Sequence, residues 1–145
     1  MSADLVIRNA RIIDGSGSAG FMADVAVTGD RISAVGTAGT GAREVDAKGQ
    51  VLCPGFVDTH SHDDGAFLRY PDMGFKLAQG VTTDISGNCG FSTIPNEPGR
   101  DYMPGDISGP GAEWTDLDSY FEACLAKKPA INNAMLVGHN RVRAH

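Results

Sequence analysis

Three apolar runs in this chain end in residues that can carry chemistry, and the interval between them restricts the fold more than any other feature. The runs are 56–59, 81–86 and 131–137, and they deliver His60 with His62, then Cys89, then His139. Helix-like text separates them. Residues 73–79 form a modest helical pattern closed by Gly80, a residue suited to the left-handed position after a helix. Residues 116–128 place Leu117, Phe121, Cys124 and Leu125 on one face, with Thr115 as a cap and Asp118 completing a box-like pattern. Lys127 and Lys128 suit the negative end of that helix, and Pro129 stops it. Strand and helix alternating at this interval predict an α/β fold with a parallel sheet, where sites are built at the carboxyl ends of the strands.

The first 53 residues read differently. Leu5-Val6-Ile7, Arg11-Ile12-Ile13, Val25-Ala26-Val27 and Ile32-Ser33-Ala34-Val35 are short β-segments, and Thr28-Gly29-Asp30 marks a hairpin between the last two. They predict a small antiparallel sheet of about four to six strands, which buries little by itself and needs a neighbour to pack on. Cys53-Pro54-Gly55 marks the change of grammar, so the expected division is 1–53 and 54–145. Within the second part, 93–114 contains Pro95, Pro98, Pro104 and Pro110 among glycines, and it is expected to be a long loop. It hangs from the same rim as Cys89, as a substrate-covering lid or as a plain mobile insert.

At the end of the first run, His60 and His62 stand two positions apart, so on a strand both rings point the same way. Two neutral imidazoles converging there can share a divalent transition metal such as zinc. Asp58 has the same parity one step deeper, where a carboxylate can orient a liganding ring. Cys89 sits in Gly87-Asn88-Cys89-Gly90, where small residues let the backbone approach a ligand closely. A thiolate beside imidazoles favours zinc, and a packed turn cysteine is the alternative. Cys53 and Cys124 are expected to be core thiols, and Asp63 and Asp64 helix-start or surface carboxylates.

Composition excludes some partners. Twelve basic against 18 acidic residues give a net charge of −6 with no basic stripe, which argues against nucleic acid. No segment approaches the roughly 18 continuous apolar residues of a membrane span, and a cytoplasmic location is expected. Three widely spaced cysteines are not a disulfide framework.

Pro54-Gly55-Phe56-Val57-Asp58-Thr59-His60-Ser61-His62, after a small β-segment, resembles the amidohydrolase superfamily. Gln79-Gly80-Val81-Thr82-Thr83, followed by Ser86-Gly87-Asn88-Cys89-Gly90-Phe91-Ser92, narrows the resemblance to the N-acyl-D-amino-acid deacylases, the D-aminoacylase group. Leu136-Val137-Gly138-His139-Asn140 with Arg141 and Arg143 is similar to that family's Val-Gly-His-x-x-Leu-Arg segment, although Val142-Arg143-Ala144-His145 departs from its usual ending. The resemblance implies a metal-dependent (β/α)8 TIM-barrel hydrolase preceded by strands of a small β-sandwich domain. It implies hydrolysis of the amide bond of N-acyl-D-amino acids to a carboxylate and a free D-amino acid. His60 and His62 match the family's strand-one metal ligands, Cys89 its cysteine ligand, and His139 a histidine near the site.

The family's other histidine ligands and its catalytic aspartate come from later strands, so no catalytic residue is assigned among these 145. A closed barrel takes about 250 residues. The chain therefore reads as the N-terminal third of such an enzyme, carrying three β/α units of an incomplete barrel. Two other readings stand beside it. One is a cyclic-amide hydrolase of the dihydroorotase or hydantoinase kind, against which the Ser-Gly-Asn-Cys-Gly segment speaks. The other is a non-catalytic fragment with an unpaired sheet edge.

Overall fold

The computed structural model describes residues 2–96 and 114–144. The chain divides into two units, Met1–Pro54 and Gly55–His145.

The first unit is one five-stranded sheet. β1 (Ala3–Ile12) is central, with β2 (Phe21–Thr28) antiparallel on one side and β3 (Arg31–Gly36) antiparallel beyond it. On its other side β4 (Gly41–Asp46) and β5 (Val51–Leu52) both run parallel to β1. The sheet is therefore mixed, not antiparallel as the short segments suggested. Two of those segments, around Ile7 and Ile12, are one strand with an irregularity between them: pairing with β2 shifts between Ile7 and Ala10, and Asn9 has φ 54°. The shift lets Ile7 pack with Ala10, Ile12 and Val25, while Ala3, Val6 and Ala26 form a separate cluster. Each cluster is small. Ile32 and Met22 stay 69% and 60% exposed, as expected of a sheet that buries little alone.

β4 escaped the sequence reading because its residues, Gly-Ala-Arg-Glu-Val-Asp, have no alternation of apolar and polar character. Charge holds it instead. Arg8 grips Glu44 with two nitrogens, Nε to Oε2 at 3.1 Å and Nη2 to Oε1 at 2.8 Å. It also donates to Asp24 Oδ2 at 2.9 Å and to the carbonyls of Ala38 and Gly39. Hydrogen bonding by Arg8 and then by the Gly41 amide holds the Glu44 carboxyl below its usual range; the Asn9 amide and then Arg8 do so for Asp24.

The second unit is a three-stranded parallel sheet of β6 (Phe56–Asp58), β7 (Val81–Ser86) and β8 (Asn132–Met135), in that spatial order. The chain passes through α1 (Ala66–Arg69) and α2 (Gly74–Leu77) between the first two strands, and through α3 (Leu117–Ala126) between the second two. Phe67, Met73, Ile94, Trp114, Tyr120, Cys124 and Ile131 form its core. Strand, helix, strand recurs as the spacing of the three runs predicted.

Details differ. The cap of α3 is Asp116, not Thr115, and the reciprocal partner is Ser119, not Asp118. Its buried face is Tyr120 and Cys124, and Leu125 is 68% exposed. Cys53 is exposed, so only Cys124 is a core thiol. His139 opens a helix, α4 (His139–Ala144), in a stretch without helical periodicity. Most of the expected loop at 93–114, including the proposed lid residues Pro98, Pro104 and Pro110, lies outside the described residues, as does His145. Among the described residues no helix is long and apolar enough to cross a membrane.

Candidate metal centre

β6 ends at Asp58, so His60 and His62 lie on the turn beyond the strand and not on it. Strand parity therefore does not aim them. Ser61, between them, does that work. Its amide donates to the Ile85 carbonyl at 3.3 Å, its hydroxyl to Asp84 Oδ2 at 2.6 Å, and its carbonyl accepts from Asn88 Nδ2 at 3.4 Å. Ser61 is drawn against β7 and buried, while both imidazoles are exposed, with ring centroids 6.0 Å apart.

Cys89 arrives from the end of β7 through two close approaches. Gly87 has φ 80°, and a side chain there would run into the backbone carbonyl of Leu136; one at Gly138 would run into that of Gly90. Only glycine permits this packing. Cys89 then takes φ 57° in the 3-10 turn Asn88–Gly90. The same Asn88 amide that reaches Ser61 donates to the Ile85 carbonyl at 2.9 Å, so one side chain ties the cysteine turn to the histidine turn.

Asp64 ties them a second time. Its Oδ1 accepts from the Gly87 amide at 3.2 Å and its Oδ2 from the Thr93 amide at 2.9 Å, two donors that bracket Cys89. Tyr120 Oη donates to the Asp64 carbonyl at 2.7 Å. Burial pushes the Asp64 carboxyl above its ordinary value, and the amide donors oppose that rise. Asp64 is thus a buried positioning group, not the surface or helix-start carboxylate that its place in the sequence suggested.

Together these ties bring His60, His62 and Cys89 into one exposed group whose ligand atoms all lie within 4.8 Å of one another. His60 Nε2 is 3.1 Å from Cys89 Sγ. Zinc bonds to sulfur at about 2.3 Å and to imidazole nitrogen at about 2.0–2.1 Å, so tetrahedral sulfur and nitrogen ligands lie roughly 3.5 Å apart. The 3.1 Å between His60 Nε2 and Cys89 Sγ is within about half an ångström of that value. The donor set, two imidazoles and one thiolate, also suits zinc.

Asp58 and His139 fall elsewhere. Asp58 Oδ1 accepts from the backbone amide of His60 at 3.2 Å, so it fixes the turn and not an imidazole ring. Its Oδ2 accepts from Lys76 Nζ at 2.7 Å. Hydrogen bonding by Lys76 and then by His60 lowers the Asp58 pKa. His139 is exposed at the start of α4 and outside the group of candidate ligands.

Lys76 was not singled out by sequence, yet its side chain is only 9% exposed and meets three carboxylates: Asp58 Oδ2 at 2.7 Å, Asp63 Oδ2 at 2.7 Å and Asp84 Oδ1 at 2.8 Å. Asp84 Oδ1 has no aligned hydrogen bond, and the ammonium is its charge partner. The available signal was Asp84, a carboxylate inside the β-branched run Val81–Ser86. A charge in a buried strand requires a counter-ion.

The amidohydrolase family model matches residues 43–127. An N-acyl-D-glutamate deacylase of Alcaligenes xylosoxydans xylosoxydans is 41% identical over 97% of the chain, and the chain spans 29% of that protein's length. An adenine deaminase of Cereibacter sphaeroides is 48% identical over a shorter region, 63% of the chain and 18% of the deaminase. Among solved structures, a D-aminoacylase studied for its binuclear metal centre superposes with TM-score 0.89 at 41% identity, over 98% of the chain and 31% of the enzyme. An N-acyl-D-glutamate deacylase from Bordetella bronchiseptica, complexed with zinc and a phosphonate mimic of the tetrahedral intermediate, superposes with TM-score 0.85 at 38% identity, over 99% and 31%.

Proposed function

Because the chain belongs to the amidohydrolase family, we propose that it supplies the first part of a metal-dependent deacylase that hydrolyses N-acyl-D-amino acids to a carboxylate and a free D-amino acid. The observation that carries this reading is the convergence of His60, His62 and Cys89 within 4.8 Å, on a chain 41% identical to an N-acyl-D-glutamate deacylase. In this reading the second unit is the first three β/α units of a (β/α)8 barrel, and the first unit is part of a small β-domain. In this reading the barrel's remaining strands, with the acid-base group, correspond to the part of the deacylase relatives that the chain does not span, about 70% of their length.

His60, His62 and Cys89 would hold the metal. When bound, zinc supplies Lewis acidity toward an amide carbonyl and toward water. The chain's own contribution is positioning. Ser61 and Asn88 hold the histidine turn against the cysteine turn, and Asp64 fixes both ends of the segment carrying Cys89. Exposure of all three ligand groups leaves the open side that a substrate requires.

A second reading, hydrolytic deamination, has one observation behind it, the 48% identity to an adenine deaminase over part of the chain. One experiment decides between them. In a chimaera, this chain replaces the corresponding segment of a D-aminoacylase, and the product is assayed on N-acetyl-D-methionine, its L-enantiomer, a hydantoin and adenine. Release of D-methionine, lost in the Cys89→Ala chimaera, is expected. Turnover of adenine or hydantoin without deacylation would replace the proposal.

A further inference from the structure

We propose that Lys76 is a positioning residue for the histidine pair, its ammonium clamping the carboxylates on both sides of His60-Ser61-His62 to β7. This rests on the metal reading above and deepens it. Asp58 lies two residues before His60 and Asp63 one residue after His62; each places an oxygen 2.7 Å from Lys76 Nζ. Asp84, on β7, places its Oδ1 2.8 Å from the same nitrogen and its Oδ2 2.6 Å from the Ser61 hydroxyl. The turn is therefore held before His60, between the two histidines and after His62. Lys76 touches the carboxylate at each of those three points.

Its own placement is fixed from α2. Met73, fully buried at the N-cap of that helix with φ 44°, lies one turn before Lys76 and anchors the helix in the core. Burial alone would lower the pKa of the ammonium, but the three carboxylates more than reverse this, and the group stays charged.

The sign of one measurement separates positioning from simple charge. A nearby cation repels a metal ion, so a Lys76 that acted only through its field would weaken zinc binding, and its loss would tighten it. A Lys76 that holds the turn gives the opposite result. In calorimetric zinc titration of the chain, Lys76→Met should bind roughly 10- to 100-fold more weakly, the usual cost of removing a group that orients ligands. Arg8→Met, which breaks the other ion-pair cluster, should leave zinc affinity unchanged.

Lys76→Met leaves Asp84 buried and uncompensated, which threatens the fold itself. The double variant Lys76→Met with Asp84→Asn removes that charge and keeps an acceptor for Ser61, so it should fold while still binding zinc weakly. In either zinc-free variant, amide exchange at His60 and Ser61 should also rise roughly tenfold above wild type. Because Asp84→Asn by itself removes a charge that attracts the metal, the double variant is read against Asp84→Asn alone, and zinc affinity in the folded double variant equal to or tighter than in that single variant would overturn the proposal. Unchanged exchange at His60 and Ser61 would overturn it as well. A wild-type chain with no Cys89-dependent zinc binding would instead remove the metal reading, and this inference with it.

Discussion

Each unit of the molecule places one cation among carboxylates, and the two arrangements differ in balance and depth. In the first unit, Arg8 is 23% exposed and faces Asp24 and Glu44, with two backbone carbonyls completing its donors. Its partners lie on β2 and β4, so it fastens neighbouring strands of one sheet. In the second unit, Lys76 is 9% exposed and faces three carboxylates, one of them fully buried. Its partners lie on β6, on β7 and on the turn between the first strand and helix, so it fastens strand ends to a turn that carries potential ligands. The difference teaches that an ion-pair cluster is informative when it is unbalanced and buried. A guanidinium with its donors used up on an exposed sheet explains itself as structure, whereas a buried ammonium with excess carboxylates needs a reason.

The comparison can be broken at its glycines first. Gly87→Ala drives a side chain into the Leu136 carbonyl from a backbone at φ 80°, and should destabilise the second unit by at least about 2 kcal/mol. Gly39→Ala, in open space in the first unit, should change stability by less than about 0.5 kcal/mol. Denaturant unfolding followed by Trp114, the one tryptophan and a residue of the second unit, measures the first of these. Equal effects of the two substitutions would show that the cysteine turn is not as tightly built as its contacts indicate.

A smaller effect should appear on acidification. Asp24, Glu44 and Asp46 all have lowered pKa values in the fold, so their contribution is present above the ordinary values of 3.8 and 4.5. It is lost as the pH falls through their folded values. In the second unit Asp58 behaves likewise, but Asp64 is raised, so its protonation relieves a penalty as the pH falls. The strand signal in circular dichroism should therefore begin to fall at a higher pH than Trp114 fluorescence changes. The reverse order would contradict the assignment of these carboxylates.

What the sequence disclosed follows from the kind of signal involved. His60, His62 and Cys89 stand out as candidates because they follow apolar runs, and local spacing is visible in one dimension. The helix at Leu117–Ala126 was legible for the same reason, to within a residue of its cap. Pairing partners were not. The parallel attachment of β4 depends on Arg8 meeting Glu44, 36 residues away, and Lys76 reaches Asp58 from 18 residues away. The roles of Ser61 and Asn88 were hidden because they lie in hydrogen bonds to β7 and to one another. Asp64 looked like a surface carboxylate because the amides that bury it, Gly87 and Thr93, come from another segment.

The central claim, that His60, His62 and Cys89 act as one metal-binding set, is tested most directly by the absorption spectrum of the chain titrated with cobalt(II). A thiolate ligand gives a near-ultraviolet charge-transfer band that imidazoles and carboxylates do not, and cobalt accepts the same donors as zinc. The account predicts that band in the wild-type chain, its loss in Cys89→Ala, and much weaker cobalt binding in His60→Ala and His62→Ala. A wild-type spectrum without the band, or one unchanged by Cys89→Ala, would contradict it.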